Sequence, residues 1–333
     1  MGDFHTDMRA ANVYALWERE NRHNRAPQTP HVWCWSTMGP LIDRAVAATD
    51  MRNAERRVLV LRNPGFANTE RDGAAINLSV NLQVLMPGEK ARPHRHSMNA
   101  IRFVLEGSGA TTIVEGKDCP MQPGDMILTP AWTWHEHQHG GSDRAVWVDA
   151  LDVPVHTYLD TGAFEAGPIH DLVDLPPDSS FFAAGLTPDT PSVKGYSPLF
   201  RYPWDSAVKV LESLVPNQDG SRRLRYTNPR TGGAVMTMLD CYLLGLTKGR
   251  ETYSYRTNSN CVCVVMEGEG FSQVGEERIA WGPKDVFTLP HNQWISHTAA
   301  KNARLFQITD RELLRRLDLL WDETRDDGRH PPS

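Results

Sequence analysis

Basic charge is in short supply in this sequence. Thirty-five Lys and Arg face 41 Asp and Glu over 333 residues, a formal net charge of −6. No positive field is available to hold the phosphates of a nucleic acid, so that class of partner is excluded. Long apolar runs are missing too. The longest, Cys261 to Met266, falls far short of the ~20 residues that cross a bilayer. The N-terminus has no apolar stretch of the kind found in secretory signals. Its Met1-Gly2 start fits a loose acylation template but lacks the polybasic second signal of a stable anchor. Five cysteines without regular spacing argue against a disulfide scaffold and for a reduced, cytoplasmic protein.

Histidine is well represented, with thirteen in the chain and five of them between His94 and His139. Apolar residues at helical spacing predict a helix over residues 7–25 and a shorter one over Pro40 to Thr49, with Leu41, Ile42 and Val46 inward. From Arg57 the period drops to two. Ile76, Leu78, Val80, Leu82 and Val84 alternate with Asn77, Ser79, Asn81 and Gln83, which predicts a strand with one apolar and one polar face. Strand patterns bounded by Gly, Pro and Asp continue to about Leu151 and resume from Met236 to Thr309. A helix capped by Asp205 is expected between the two regions, with Val208, Leu211 and Leu214 or Val215 buried. A polar helical tail bearing Leu313, Leu314, Leu317 and Leu320 is expected at the end.

The two strand-rich regions repeat each other. Glu106-Gly107 recurs as Glu267-Gly268, 161 positions on, while Asp125, Pro130 and His137 recur as Asp285, Pro290 and His297, 160 positions on. Offsets this constant indicate a duplicated β domain. The first copy also carries Gly88, His94-x-His96, Gly124-Asp125, Pro130 and His135, the paired signature of the cupin barrel. The expected fold is therefore mainly β, a bicupin of two tandem double-stranded β-helix barrels with flanking helices. Its expected layout is an N-terminal arm over 1–74, a metal-binding barrel over 75–155, a linker with a short helix over 156–234, a metal-free barrel over 235–312, and a helical tail over 313–333.

Side chains at i and i+2 of a strand share a face, so His94 and His96 can reach one metal, with His135 brought in from another strand. The glutamate that usually follows the second histidine of this signature is missing, since Ala100 and Ile101 hold its positions. Three neutral imidazoles leave a divalent metal its full charge and open positions, which favours an anionic chelating ligand. In the second copy Tyr255, Thr257 and Ile295 replace the three histidines, so no metal is expected there. His297 alone remains and reads as a satisfied or solvated residue. His139 reads as structural, Trp132 and Trp134 as core, and the cysteines as packed free thiols.

The runs Pro93–Gly107 (PHRHSMNAIRFVLEG) and Pro123–His137 (PGDMILTPAWTWHEH) resemble the gentisate 1,2-dioxygenase family, which includes salicylate, 5-nitrosalicylate and 1-hydroxy-2-naphthoate dioxygenases. Likeness extends to His31-Val32-Trp33, Ala54–Val58, Asn63-Pro64-Gly65 and Trp147–Pro154. The resemblance implies one Fe(II) per chain, in the N-terminal cupin, held by His94, His96 and His135. It also implies a homotetramer and cleavage of a small aromatic hydroxy acid by O2 between the carboxyl-bearing carbon and its hydroxylated neighbour. Substrate-handling roles carry over to Gln83, Arg102, His137 and Asp149, and to Arg56 or Arg57, with Arg57 preferred. Arg102 shares the parity of His94 and His96 and suits a carboxylate or charge developing on oxygen. His137 shares the parity of His135 and suits proton transfer, with Asp149 orienting His137 or the substrate. With Gln83 in the site, Asn77 to Asn81 are expected to line or approach it.

Asn81 stands where this family usually has Ala or Gly. The larger amide predicts a narrower pocket, suited to a substituted salicylate rather than a bulky naphthoate. The competing readings are another metal-cupin enzyme (a 1-hydroxy-2-naphthoate, diketone or flavonol oxygenase, or an isomerase) and a non-catalytic metal- or ligand-binding cupin.

Overall fold

The computed structural model describes residues 4–13, 28–50, 56–183, 185–189 and 195–325. The first barrel is two antiparallel sheets. One runs in the order 201–202, 126–129, 100–106, 145–151, 79–85, 57–61, and the other in the order 164–166, 90–96, 135–139, 110–114, 117–121. The second barrel repeats both, strand for strand: 31–33, 286–289, 261–267, 303–309, 240–246, 222–225, and 322–325, 254–257, 295–299, 270–274, 277–281. The protein is thus a mainly β bicupin.

The duplication extends beyond the barrels. In each copy a short strand, a helix and another strand come before the barrel, and a short helix and a strand follow it. The leading strands are exchanged: His31–Trp33 pairs with Val286–Leu289 of the second barrel, and Arg201–Tyr202 with Met126–Thr129 of the first. The aspartate of the matching turn, Gly124-Asp125 in the first copy and Lys284-Asp285 in the second, secures each exchange. Asp125 accepts hydrogen bonds from Trp204 N and Arg201 Nε, at 2.9 and 2.8 Å, and Asp285 accepts one from Trp35 N at 2.7 Å. A carboxylate on the free N–H groups of a helix start is favoured by charge and by the helix dipole. The repeated Glu-Gly has a packing cause. Gly107 has φ +87°, and a Cβ there would lie 2.3 Å from Arg144 O; Gly268 has φ +83° with Asn302 O at 2.4 Å.

Phe103 and Phe306 stack between the barrels, with ring centroids 4.1 Å apart, inside one buried apolar cluster drawn from both copies. An offset aromatic pair of this kind contributes ~0.5–1.5 kcal/mol beyond its buried area.

Several expected elements change. Part of the helix expected over 7–25 lies outside the described residues; Phe4–Ala10 is helical. The next helix spans Trp35–Ala48 with Pro40 inside it, burying Met38, Gly39 and Ile42 and leaving Leu41 exposed. Arg57–Leu61 joins the first barrel's sheet rather than an arm. The strand expected from Ile76 begins at Ser79, because Asn77 turns away to donate to Asp310 Oδ2 in the second half, at 2.8 Å. The connecting region holds three strands, Phe164–Ala166, Arg201–Tyr202 and Arg222–Arg225, as well as helices. Asp205 sits in the first turn of the helix Trp204–Ser213 without capping it, and Val215 is exposed. In the described part of the expected helical tail, the helix Arg311–Arg316 is followed by the strand Asp322–Arg325, with Leu317 and Leu319 exposed; residues 326–333 lie outside the described residues. No helix among the described residues is long and apolar enough to cross a membrane.

Candidate metal centre and active site

The H-x-H strand, Lys90–His96, is short of a donor at Pro93, and its pairing register breaks between Ala91 and His94. After the break His94 pairs with His135, and Ala166 and Phe164 of the post-barrel strand pair with His94 and His96. The nitrogen atoms of His94, His96 and His135 that could bind a metal all lie within 4.8 Å of one another. This is the one such group of three among the described residues, and all three side chains are buried.

Each ring is oriented from behind by a backbone carbonyl two residues away. Nδ1 of His94, His96 and His135 lies 2.9, 2.8 and 2.9 Å from the oxygens of Arg92, Met98 and Thr133. A carbonyl only accepts, so Nδ1 carries the proton and Nε2 keeps its lone pair. Nε2 of His94 and of His135 is buried without a protein partner among the described residues. A buried lone pair left in this way is costly unless a ligand satisfies it. With the His96 nitrogen they converge into a three-histidine metal site, of a donor type that suits Fe, Zn, Cu or Ni.

The charge state fits metal binding. Burial pulls the pKa of His94 down to about 3 and of His96 to about 4, with the Arg56 charge acting in the same direction; His135 is also pushed well below its ordinary value by burial. The unfolded chain takes up these protons near pH 6.5. Below that value it binds protons that the fold refuses, so the metal-free protein is at full strength above pH 6.5 and weakens as the pH falls toward 4. The loss reaches about 1.4 kcal/mol per pH unit for each such histidine. Urea unfolding of metal-free protein should therefore show a lower midpoint at pH 5 than at pH 7; an equal or higher midpoint would contradict this ionisation scheme.

The facing sheet supplies the rest. Arg102, Asp149 and Asn81 lie opposite one another across three strands, and Trp147 lies opposite Gln83, which puts all five on one face. Arg102 is 3% exposed; its Nε donates to Asp149 Oδ1 at 2.7 Å while Nη1 has no partner among the described residues. Asp149 Oδ2 accepts from Trp147 Nε1 at 2.8 Å. Asp149 thus orients Arg102, with no hydrogen bond to His137. Gln83 is buried, and its Nε2 has no partner among the described residues. His137 shares the face of His135, with Nδ1 3.0 Å from Thr112 Oγ1 and Nε2 buried without a partner among the described residues. Burial, then the charge of Arg102, holds His137 neutral.

The register also separates the two candidate arginines. Arg57 pairs with Val84, on the outer side, and its guanidinium is fastened to both Glu89 oxygens, at 2.6 and 2.5 Å, and to Thr49 O. The preference for Arg57 is therefore corrected. Arg56 has the opposite parity, and its charge acts on His94, His96, Arg102 and His137. Trp134 is core, but Trp132 is half-exposed and flanks the Arg95 guanidinium, which lies 4.8 and 4.7 Å from the two rings and pairs with Glu165. His139 closes a turn through Asp143 O and Gly141 N.

Two features escaped the sequence reading. Phe164 stacks on His94 at 5.5 Å, from a strand too short to carry a pattern. Asn99 clamps Asp152 through N and Nδ2 at 2.9 and 2.7 Å, just behind the H-x-H strand, and Asn260 holds Asp310 in the same way at 2.8 and 2.7 Å. The recurrence of Asn99 as Asn260 was the signal available for the clamp.

Two β barrels, one with a buried three-histidine centre facing a buried arginine, define a bicupin metalloprotein. The cupin domain family matches residues 81–153. A gentisate 1,2-dioxygenase of Aquipseudomonas alcaligenes is 32% identical, covering 97% of this chain and 96% of that one. A gentisate 1,2-dioxygenase of a Ralstonia species is 35% identical, covering 86% and 83%. The crystal structure of the salicylate 1,2-dioxygenase of Pseudaminobacter salicylatoxidans matches with a TM-score of 0.88 at 29% identity, over 96% of both chains. The chain belongs to the gentisate 1,2-dioxygenase family and is a ring-cleaving dioxygenase.

Proposed function

We propose that the chain is a cytoplasmic, homotetrameric Fe(II) dioxygenase that opens a salicylate-type ring (gentisate, salicylate or 5-nitrosalicylate) between the carboxyl-bearing C1 and the hydroxylated C2. The observation that carries this reading is the pairing of a carboxylate-free, three-histidine centre with the buried Arg102 on the facing sheet. Fe(II) held by His94, His96 and His135 would supply a redox-active cation with open positions for an anionic hydroxy acid and dioxygen.

The remaining chemistry belongs to the chain. Neutral histidines leave the centre cationic, which draws in an ionised carboxylate and phenol. Arg102, held at Nε by Asp149, turns its unpartnered Nη1 to the interior, where a fixed cation stabilises carboxylate or developing oxygen charge. Gln83 Nε2 offers a further donor. Met121 Sδ lies 3.4 Å from Thr112 Oγ1 and only accepts, so Thr112 gives its proton there and receives one from His137 Nδ1. That leaves His137 Nε2 as the bare base that can take the proton of the substrate hydroxyl. Asn81, on the same face beside Asp149, narrows the space for a second fused ring.

Oxygen uptake after anaerobic Fe(II) reconstitution, with gentisate, salicylate, 5-nitrosalicylate and 1-hydroxy-2-naphthoate, tests the assignment. Turnover of a single-ring acid is expected to exceed that of the naphthoate by at least tenfold. Preference for the naphthoate would overturn the narrow-pocket reading, and no uptake with any of the four would overturn the activity.

A further inference from the structure

The second barrel has lost the metal ligands but has not filled its interior with apolar side chains. A cavity of about 270 Å³ remains, lined by Arg223, Leu244, Tyr255, His297, Gln307 and Thr324, among others. A second cavity of the same volume adjoins it, sharing Arg223, Tyr255, Gln307 and Thr324.

The polar groups have been re-sited. Cys263 lies across from Gln307 in this barrel, as Arg102 lies across from Asp149 in the first, so the buried ion pair is gone. An arginine enters instead from the outermost strand. Arg223 stands opposite Leu244, as Val58 stands opposite Gln83. Its Nε donates to Gln307 Oε1 at 3.0 Å, and its guanidinium lies 3.7 Å from the centroid of the Tyr242 ring. Asp219, the acidic residue on the wall, has Oδ1 accepting from Ser221 and Oδ2 from Tyr253 N.

His297 keeps the place of His137, but its hydrogen-bond chain runs the other way. Ser272 replaces Thr112, with its Oγ 2.8 Å from His297 Nδ1, and Trp281 replaces Met121. An indole N–H only donates, and Trp281 Nε1 donates to Ser272 Oγ at 3.0 Å, leaving the serine proton for His297 Nδ1. His297 Nε2 then carries the proton. It lines the cavity 1% exposed and without a partner among the described residues. Where the first barrel presents a base, the second presents a donor.

We propose that this cavity is a second ligand site for a small aromatic carboxylic acid, its carboxylate held by Arg223 and His297 Nε2–H and its ring against Tyr255 and Leu244. With the Asp219 oxygens and Gln307 Oε1 already bonded, the Arg223 cation and the His297 N–H favour an anion, and the aromatic and aliphatic walls favour an apolar body. The test is anaerobic isothermal titration of the full-length, metal-loaded protein with benzoate, which has no ortho hydroxyl to turn over. Arg223→Gln is expected to lose one benzoate per chain relative to wild type while metal content stays unchanged. Leu244→Trp, which fills the cavity from the strand beside Arg223, is expected to lose the same one. Arg102→Ala is expected to retain it. Wild-type stoichiometry and affinity in both cavity variants would overturn the proposal, as would wild-type protein that binds inorganic phosphate at this site in preference to benzoate.

Discussion

Replacing His94 with alanine is expected to abolish metal retention and oxygen consumption together, from a full complement of one metal per chain to none. Among the described residues only three side chains converge on the centre, and none of these is a carboxylate. Two neutral imidazoles without a third cannot complete the facial set, and second-sphere support from Arg92, Met98 and Thr133 orients rings without binding metal. The fold should survive. His94 Nε2 has no partner among the described residues of the metal-free protein, so removing the side chain costs one hydrogen bond, Nδ1 to Arg92 O. Metal analysis and oxygen uptake on the same preparation check this, with the unfolding midpoint of the metal-free form as the control. Retained metal in H94A protein would show that the centre lies elsewhere.

Asp149→Ala is expected to be the most damaging single change on the facing sheet, at about 3–5 kcal/mol of stability. Asp149 uses both oxygens, one on Arg102 and one on Trp147, and all three residues are buried. Its removal strands a buried guanidinium and an indole N–H. Arg102→Ala leaves the carboxylate with its Trp147 bond, and should cost less stability while still removing activity. The double variant should be more stable than Asp149→Ala alone, because the stranded charge is gone. Denaturant unfolding of the three proteins measures this order; a double variant less stable than Asp149→Ala would show that the pair does not act as described.

The parts legible in the sequence are those whose signal is local or repeated. Constant offsets between Glu106-Gly107 and Glu267-Gly268, and between Asp125 and Asp285, exposed the duplication, and strand parity grouped His94, His96 and Arg102. Parity was not enough where register decides. Arg56 and Arg57 lie at the start of a strand, and only the pairing of Arg57 with Val84 shows which side each takes. The closing strands Phe164–Ala166 and Asp322–Arg325 have three or four residues, too few for a period, and exist because each lies along an H-x-H strand or its counterpart. The matching pairs Arg95–Glu165 and Arg256–Glu323 tie them down. The exchange of leading strands was hidden for a different reason: each joins the barrel encoded by the other half, and the turn aspartate that receives it, Asp125 or Asp285, is distant in sequence. The bonding of Asp149 to Arg102 and Trp147 was hidden for the same reason, since sharing a face with a catalytic group does not reveal which neighbour takes its oxygens.

Isotope incorporation tests the central claim most directly. The Fe(II)-reconstituted protein is supplied with gentisate and 18O2, and the product is weighed by mass spectrometry. The account predicts a ring-opened acid carrying both labelled atoms, formed only when His94, His96 and His135 are intact. Product with no label, or one label on an unopened ring, would contradict it.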